Sequence, residues 1–202
     1  MLRSSGHFTQ EKKIRLITIG NAGSLKGNEM MLRTAWLLKN QFHFDFEWFY
    51  TSNEYTFSFF ENVVGIKHDD VNIKLIGRLN ASEIATQLAD ADFYIHPAII
   101  DNSPNTVCEA QLIGTPIIST NAGGIPSLIE DGKTGFLYPY SEPHALAFKI
   151  MNLAGNKEEL EQVSDNEYRV SHNRHNPEKT AKEINKIYKT IISDYNTVQS
   201  DK

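Results

Sequence analysis

Two acidic side chains near the middle of the chain have the types and the spacing to recognise a sugar or a nucleotide. Asp101 lies in a polar loop that follows an apolar run, and Glu109 lies eight residues further on in a largely apolar stretch. A carboxylate among apolar neighbours is partly buried and requires a partner. A ribose diol carries two adjacent hydroxyl donors, so it would satisfy both oxygens of Glu109.

The residues around these acids predict a strand, a loop, a helix and a second strand. Phe93–His96 forms the first strand. Ser103 is a suitable N-cap and Pro104 a suitable first helical residue, and the helix ends at Gly114 in a left-handed cap. Thr115–Ser119 forms the second strand. Because open parallel sheets bind ligands at the carboxyl ends of their strands, the loop after the first strand is a candidate site.

Backbone groups of the same unit offer further contacts. The free N–H groups at the start of the helix, around Asn105 and Thr106, suit a phosphate or a sugar hydroxyl. The loop Ala122–Gly124 could bring its backbone close to a ligand. The alternative for the two acids is structural: Asp101 caps a turn, and Glu109 pairs with a nearby Arg or Lys. Spacing alone leaves both interpretations open.

A glycine-rich loop near the start of the chain is a second candidate site. Ile14–Ile19 predicts a strand and Asn28–Asn40 a helix, with Gly20, Gly23 and Gly27 between them. Backbone amides and a helix N-terminus hold phosphate in such an arrangement. The spacing is not that of a P-loop or of the dinucleotide fingerprint, and a simple turn of the chain also explains the glycines.

Strands and helices alternate along the chain, which predicts a parallel, doubly wound sheet with right-handed crossovers. We therefore expect one α/β, Rossmann-like three-layer domain over 14–195, a polar lead-in or linker remnant at 1–13 and a polar tail at 196–202. The other predicted strands are Phe44–Tyr50 and Asn72–Ile76, and the other predicted helices are Glu54–Val64, Ser82–Asp90, Glu142–Ala154, Lys157–Val170 and Glu178–Ile192.

Composition excludes several classes of function. The chain has 202 residues, enough to bury a core, and its net charge of −5 argues against general nucleic-acid binding. The only cysteine, Cys108, excludes an internal disulfide and fits a reducing, cytoplasmic compartment; its apolar neighbours indicate a core residue. No run approaches the ~20 apolar residues of a membrane span, and residues 1–13 lack the apolar core of a secretory signal.

Two further groups of side chains are interpreted as structural. His96 ends a buried strand, which indicates a packed, hydrogen-bonded residue rather than a catalytic one. No second His, Cys or acid lies at metal-ligand spacing around it, so no metal site is predicted. The aromatic side chains of the helix Glu54–Val64 are interpreted as core, because no basic residues are interleaved with them.

The order of these motifs resembles the donor-binding half of GT-B-fold retaining glycosyltransferases of family 4. The resemblance rests on the two acids, on Gly114–Ser119, on Gly123–Pro126 and on Asp131–Pro139. It covers about Ile14 to Ile192. It implies the C-terminal half of a GT-B fold, in which a Rossmann-like domain binds a nucleoside-diphosphate sugar and a separate N-terminal domain binds the acceptor.

The resemblance also implies roles for individual residues. Asp101 occupies the place of an acid near the transferred sugar, and Glu109 that of an acid that holds the ribose. Lys26 matches a lysine directed at the diphosphate, and the backbone at Arg78 and Leu79 frames the base; a surface pair of Arg78 with Glu83 is the alternative. The implied catalytic residues are Asp101 and Lys26, and the implied donor contacts are Gly20, Asn21, Gly23, Lys26, Arg78, Leu79, Asp101, Asn102, Ser103, Asn105, Thr106 and Glu109.

Three positions depart from the family pattern. The first acid is usually Glu, so Asp101 reaches one methylene less far. Asn21 stands where the family has an Arg, and a neutral amide there removes a bidentate, charge-assisted contact worth ~1.5–3 kcal/mol. Ser127 stands where an acid often follows the Gly-Gly-x-Pro motif, with Glu130 further on.

We therefore expect the nucleotide-sugar-binding domain of a retaining glycosyltransferase of hexosyltransferase type, acting in glycan or polysaccharide synthesis. The resemblance implies no metal and no cofactor, with the nucleoside-diphosphate sugar as substrate. It implies an N-terminal acceptor-binding domain as partner, and it is compatible with peripheral membrane contact of the whole enzyme. Alone, this chain should bind donor weakly and transfer little. The alternatives are a non-catalytic scaffold module and a GT-B-type epimerase.

Overall fold

Six parallel strands form the sheet of this computed structural model, which describes residues 13–21 and 23–200. Their order across the sheet is β3-β2-β1-β4-β5-β6, and each neighbouring pair is parallel. This is the strand order of the Rossmann fold, so the predicted architecture is confirmed. The strands are β1 (Ile14–Thr18), β2 (Phe46–Tyr50), β3 (Ile73–Leu75), β4 (Phe93–His96), β5 (Ile117–Thr120) and β6 (Phe136–Tyr138).

The helices follow the predicted order, with differences at their ends. The predicted helix Asn28–Asn40 is α-helical only to Trp36 and continues as a π-helical segment, Leu37–Gln41. The last two helices extend further than predicted. No strand is predicted at Phe136–Tyr138, where the structure forms β6. The predicted lead-in lies outside the described residues except for Lys13. The helices are α1 (Asn28–Trp36), α2 (Glu54–Val64), α3 (Ala81–Asp90), α4 (Asn105–Ile113), α5 (Pro143–Ala154), α6 (Lys157–Arg174) and α7 (Pro177–Ser200).

Side-chain alternation along the strands divides the core into two layers. Leu16, Phe93 and Ile95 face a cluster that α1, α2 and α5 cover. Ile17 and Tyr94 face the opposite cluster, which α3 and α4 cover. Because residues two apart on a strand share a face, His96 lies on the side of Tyr94 and α4. The pattern fixes which polar groups of β4 meet the candidate site.

The aromatic face of α2 is only half core. Phe57 and Phe60 are buried, whereas Tyr55 is 90% exposed and Phe59 is 64% exposed. Tyr55 and Phe59 are four residues apart, so they share the outer face of the helix. The interpretation of these aromatic side chains as core is therefore wrong for Tyr55 and Phe59.

An apolar stripe follows one side of α7, as predicted, but the protein's own core does not cover it. Its five aliphatic and aromatic members are each between 46% and 61% exposed. No helix among residues 13–21 and 23–200 combines the length and the hydropathy of a membrane span. The stripe consists of Ile184, Ile187, Tyr188, Ile191 and Ile192.

Backbone packing holds the loops at the carboxyl edge of the sheet together. The Ile99 N–H donates to the Leu25 carbonyl at 2.9 Å, which joins the loop after β1 to the loop after β4. A Cβ added to Gly27 would lie 1.8 Å from the Pro97 carbonyl oxygen, and one added to Gly124 would lie 1.9 Å from that of Asn102. The loop predicted to approach a ligand thus approaches the protein's own backbone.

Glu167 on α6 is a buried acid without a compensating group. Its side chain is fully buried, and neither carboxylate oxygen has a hydrogen-bond partner within the described part of the chain. Burial raises the pKa of Glu167 well above its ordinary value. The side chain is therefore carried as the neutral acid in the folded protein at pH values where the unfolded chain ionises it.

Replacing Gly124 by Ala is expected to destabilise the fold by about 1–3 kcal/mol, because the new methyl group clashes with the Asn102 backbone. Gly124 has a φ of −88°, which alanine also adopts, so the loss of stability would come from the clash and not from backbone strain. Urea unfolding measures the effect. Gly155→Ala is the matched control, since its nearest contact would be an ordinary 3.7 Å; equal stability of the two variants would contradict the packing.

Replacing Glu167 by Gln is expected to change how stability depends on pH. The raised pKa of Glu167 makes the folded state bind more protons than the unfolded state, so its contribution falls as pH rises above the unfolded pKa. The loss approaches about 1.4 kcal/mol per pH unit until the folded pKa is reached.

The stability of Glu167→Gln relative to wild type should therefore increase as pH rises over this window. Thermal or urea unfolding at several pH values measures it. Glu161→Gln, which removes an exposed acid paired with Lys157 on the same helix, should shift stability by no more than about 0.5 kcal/mol. A parallel pH dependence of wild type and Glu167→Gln would show that Glu167 ionises normally.

Candidate functional site

The strand order brings two distant loops together at one point of the sheet. The chain leaves β1 toward β2 and leaves β4 toward β5, so the crossovers diverge from the centre and leave a crevice at the carboxyl ends of β1 and β4. Lys26 and Asp101 meet there: the Lys26 Nζ donates to the Asp101 Oδ2 at 2.9 Å across 75 residues of sequence. Two predicted site residues are thus in direct contact.

A short turn positions Lys26. Residues Ser24–Lys26 form a 3-10 turn, which Gly27 ends in the left-handed conformation with φ 73°. The buried Asn28 holds this loop, because its Nδ2 donates to the Gly23 carbonyl at 2.8 Å and its Oδ1 accepts from the Tyr50 hydroxyl at 2.8 Å. The role of Asn28 was not predicted; its only sequence signal is a polar residue at the start of a helix after glycine.

The Asp101 carboxylate is held on several sides. The Gly124 N–H donates to the Asp101 main-chain carbonyl at 2.9 Å and so fixes the backbone there. The Asp101 side chain is only 17% exposed. Burial opposes ionisation, but the hydrogen bond and charge of Lys26 outweigh it, and the Ser103 N–H adds to them, so the pKa of Asp101 is below its ordinary value. Asp101 is therefore an anion that already has a cationic partner.

The helix after this loop starts later than predicted. Pro104 is the N-cap of α4, without a side-chain cap, and Asn105 is the first helical residue. Ser103 is therefore not the cap; its backbone N–H serves the Asp101 carboxylate instead. The predicted contact residue Thr106 is engaged internally, since the Tyr94 hydroxyl donates to its Oγ1 at 2.6 Å. Its backbone N–H lies in the first turn of α4, where N–H groups have no partner within the helix.

Glu109 has no ionic partner. The residue is more exposed than predicted, although its neighbours still shield part of its carboxylate from water, and no salt bridge or hydrogen bond to it occurs among the described residues. The alternative that a nearby Arg or Lys neutralises it is therefore wrong. Local burial raises the pKa of Glu109 above its ordinary value. Its charge, like that of Asp101, acts on the Tyr94 phenol, whose pKa burial chiefly raises.

His96 is only half satisfied. Its Nδ1 lies 3.1 Å from the Tyr94 hydroxyl, as expected for a packed, hydrogen-bonded residue. Its Nε2 is buried without a hydrogen-bond partner and lies 3.6 Å from the Asp101 Oδ2. Burial lowers the pKa of His96 to about 4, with the nearby charge of Lys26 acting in the same direction and that of Asp101 opposing it.

The other predicted donor contacts lie in the loops after β1, β3 and β4. Gly20 is fixed by Thr51, whose hydroxyl accepts from its N–H at 2.8 Å, and Asn21 is exposed beside it. Arg78 follows β3, three places across the sheet from β4. It makes no ion pair with Glu83, which caps α3 by accepting from the Asn80 N–H. Asn102 is exposed in the loop after β4, and Leu79 is partly exposed in the loop after β3.

A separate pocket of about 450 Å³ opens beside β3 at the outer edge of the sheet. Two of its polar side chains already have partners: the His68 Nδ1 lies 2.6 Å from the Glu61 Oε1, and the Lys74 Nζ donates to the Glu47 Oε1 at 2.6 Å. Across 13–21 and 23–200, no group of three His, Cys, Asp or Glu side chains is placed to hold a metal ion.

Relatives share this sequence over part of their length. The chain is 34% identical over 84 residues, 39% of its length, to the putative colanic acid biosynthesis glycosyltransferase WcaL of Salmonella typhimurium, and spans 21% of that protein. It is 27% identical over 131 residues to an uncharacterised glycosyltransferase of Methanocaldococcus jannaschii, covering 65% of this chain and 37% of that protein. The chain therefore spans well under half of these curated relatives.

Solved structures share the fold. The sucrose-phosphate synthase of Thermosynechococcus elongatus superposes with a TM-score of 0.77 and 16% identity, over 91% of this chain and 46% of that one. The Anabaena protein HepE, solved in complex with UDP-glucose, superposes with a TM-score of 0.73 and 18% identity, over 89% of this chain and 49% of that one. These likenesses identify the fold as a Rossmann-like domain of GT-B glycosyltransferase structures.

The family assignment does not depend on these partial alignments. The model of the family described as "Glycosyl transferases group 1" matches residues 4–170, which includes both loops of the crevice and the whole sheet. The chain belongs to the group 1 glycosyltransferase family.

Proposed function

We propose that this chain is the donor-binding domain of a retaining glycosyltransferase, which transfers a hexose from a nucleoside-diphosphate sugar to an acceptor hydroxyl in glycan or polysaccharide synthesis. One observation carries the proposal: Lys26 and Asp101 meet at the divergent crossovers of a Rossmann-like sheet, and Glu109 stands unpaired on the helix that follows. A cation, an acid and an available second acid are the set that a diphosphate, a sugar and a ribose require.

The diphosphate is assigned to Lys26 and the amides of its loop. Lys26 is 41% exposed on its side chain, so its ammonium can leave Asp101 for a more highly charged anion. The N-terminus of α4 has no side-chain cap, and its first N–H groups favour negative charge. Together these groups would stabilise the leaving diphosphate electrostatically, without a metal.

The ribose and the sugar are assigned to the two acids. The Glu109 carboxylate accepts no hydrogen bond from the described part of the chain, and a ribose diol supplies two donors. Asp101, with Asn102 and the amides of Ser103–Thr106, would orient the transferred sugar. The backbone at Arg78 and Leu79 would frame the base, since both follow β3 at the same carboxyl edge. These assignments place donor contacts in three loops of one edge.

A second candidate function, a scaffold module without donor chemistry, is favoured by one observation. Asn21 is a neutral amide in the first loop, so Lys26 is the cation that faces the diphosphate site from that loop, and Asp101 already neutralises it. Nucleotide binding separates the two candidates. The Anabaena protein HepE has been solved with UDP and with UDP-glucose, which makes UDP the first probe and GDP the second.

We assign the exposed stripe of α7 as the surface that the acceptor-binding domain covers in the whole enzyme. Five large apolar side chains aligned on a solvent-facing helix are typical of a surface that a partner covers. The chain spans 46% and 49% of the two solved relatives described above, which leaves room in such proteins for a second domain.

We place the enzyme in the cytoplasm, because nucleotide sugars and a reduced cysteine both fit that compartment.

Removing the Glu109 carboxylate is expected to weaken UDP or GDP binding by about 1.5–3 kcal/mol, which is tenfold or more, because two charge-assisted hydrogen bonds to the ribose are lost. Calorimetric titration of wild type and Glu109→Ala measures it. Glu158→Ala removes an exposed acid from α6 and should bind like wild type. Equal affinities of wild type and Glu109→Ala would reject the ribose assignment, and no binding of either nucleotide to wild type would favour the scaffold.

Supplying the acceptor-binding domain is expected to create sugar transfer that the isolated chain lacks.

Replacing Ile187 and Ile191 by Glu should weaken association of the two domains at least tenfold, because two buried apolar side chains would become charged. Lys186→Glu with Lys189→Glu changes charge on the same helix and serves as control. Efficient transfer by the isolated chain, or unchanged association of the Ile variants, would contradict this arrangement.

A further inference from the structure

The Asp101 carboxylate oxygen has two basic groups beside it. The Lys26 Nζ and the His96 Nε2 both face Oδ2, the first at hydrogen-bond distance, 2.9 Å, and the second at 3.6 Å. His96 is 4% exposed and its Nε2 has no hydrogen-bond partner. The Tyr94 hydroxyl engages Nδ1 and so restrains the ring, while Ser119 donates to the His96 carbonyl and restrains the backbone that carries it. An unused nitrogen is therefore held toward the carboxylate.

We propose that His96 is a positioning residue for Asp101, and that it replaces Lys26 as the partner of the Asp101 carboxylate when a bound diphosphate draws the lysine away. This inference rests on the proposed donor-binding function. It deepens that function by assigning His96 as the group that holds the Asp101 carboxylate in place after Lys26 has moved to the diphosphate.

Electrostatics give the direction of the exchange. In the ligand-free protein the Lys26 ammonium neutralises Asp101, and His96 is neutral because burial and the Lys26 charge disfavour the imidazolium. When Lys26 turns to the diphosphate, the partly buried carboxylate loses its counter-ion. The nearest basic group is then the His96 Nε2, which needs to approach by only about 0.8 Å to form a charge-assisted hydrogen bond.

The exchange takes up one proton from solvent. The proton binds the lone pair of the His96 Nε2, and the imidazolium N–H then donates to Asp101 Oδ2. The groups around the ring are consistent with this assignment: Lys26 lies in the loop after β1 and Asp101 in the loop after β4, Tyr94 and Thr106 are neutral, and the Ser119 hydroxyl of β5 donates to the His96 carbonyl. Glu109 on α4 adds negative charge nearby.

The first test needs no nucleotide. Lys26→Met leaves His96 and its packing intact while removing the competing cation, so it reproduces the lysine's departure. The pKa of His96, followed by NMR of the imidazole across pH, should rise from about 4 by at least roughly one unit. Adding Asp101→Asn to Lys26→Met should reverse the rise. An unchanged His96 pKa in Lys26→Met would overturn the proposal.

The second test measures the proton directly. UDP and GDP are titrated calorimetrically at about pH 5, between the ligand-free pKa of His96 and its expected raised value, in buffers of different ionisation enthalpy, and the number of protons taken up is compared among wild type, His96→Gln and His144→Gln. Wild type and His144→Gln, which changes an exposed histidine on α5, should take up more protons per nucleotide than His96→Gln. The difference between variants removes the ionisation of the nucleotide itself.

The outcomes separate the two levels of the argument. Binding with equal proton uptake in wild type and His96→Gln would leave the donor-binding function standing and overturn the role of His96. Failure of wild type to bind either nucleotide would overturn the donor-binding function and, with it, this role. If His96→Gln does not fold, the titration of His96 in Lys26→Met decides the proposal alone.

Discussion

The contact between Lys26 and Asp101 depends on a topological constraint, which is that β1 and β4 are neighbours whose crossovers leave in opposite directions. Only at this place in the sheet do two loops meet without a connecting helix between them. The contact is then fixed by backbone packing rather than by the ion pair itself. The bond from Ile99 to Leu25 ties the loops after β1 and β4 together. Gly27 allows these two backbones to approach, and Gly124 allows the loop after β5 to pack against Asn102 in the loop after β4.

This constraint gives the two acids of the site different states in the same fold. Asp101 is neutralised by a cation from the other loop, and its pKa is lowered accordingly. Glu109 stands on a helix face with no cation within reach in the described chain, and partial burial raises its pKa. Under the proposed function, a bound donor would have to separate Asp101 from Lys26, whereas Glu109 would be available to its hydroxyl donors. Binding a diphosphate sugar would satisfy both conditions at once.

Sequence patterns predicted most of the fold, because periodicity and glycine position report local geometry. The parallel sheet, the left-handed cap at Gly114 and the convergence of Lys26 with Asp101 all followed from the sequence or its resemblance. The short strand β6 did not, since Phe136–Tyr138 is too brief to show an alternation. The glycine pattern predicts a close backbone approach at Gly123 and Gly124 but does not identify the partner, which is the protein's own backbone at Asp101 and Asn102. The start of α4 was misplaced because Ser103 satisfies Asp101 rather than the helix.

His96 shows where pattern reasoning reaches its limit. A lone histidine at the end of a buried strand is usually satisfied, and its Nδ1 is, but the state of Nε2 depends on a carboxylate in the following loop and a lysine seventy residues earlier in the chain. Burial alone does not mark it as functional, because Glu167 is also buried without a partner, far along the chain on α6. The two differ in their surroundings. Among the residues described, burial alone shifts the pKa of Glu167, and no charged group acts on it. His96 instead faces the ion pair of Lys26 and Asp101, which a diphosphate would divide under the proposed function, and this difference in surroundings is the reason to assign a role to its unpaired nitrogen.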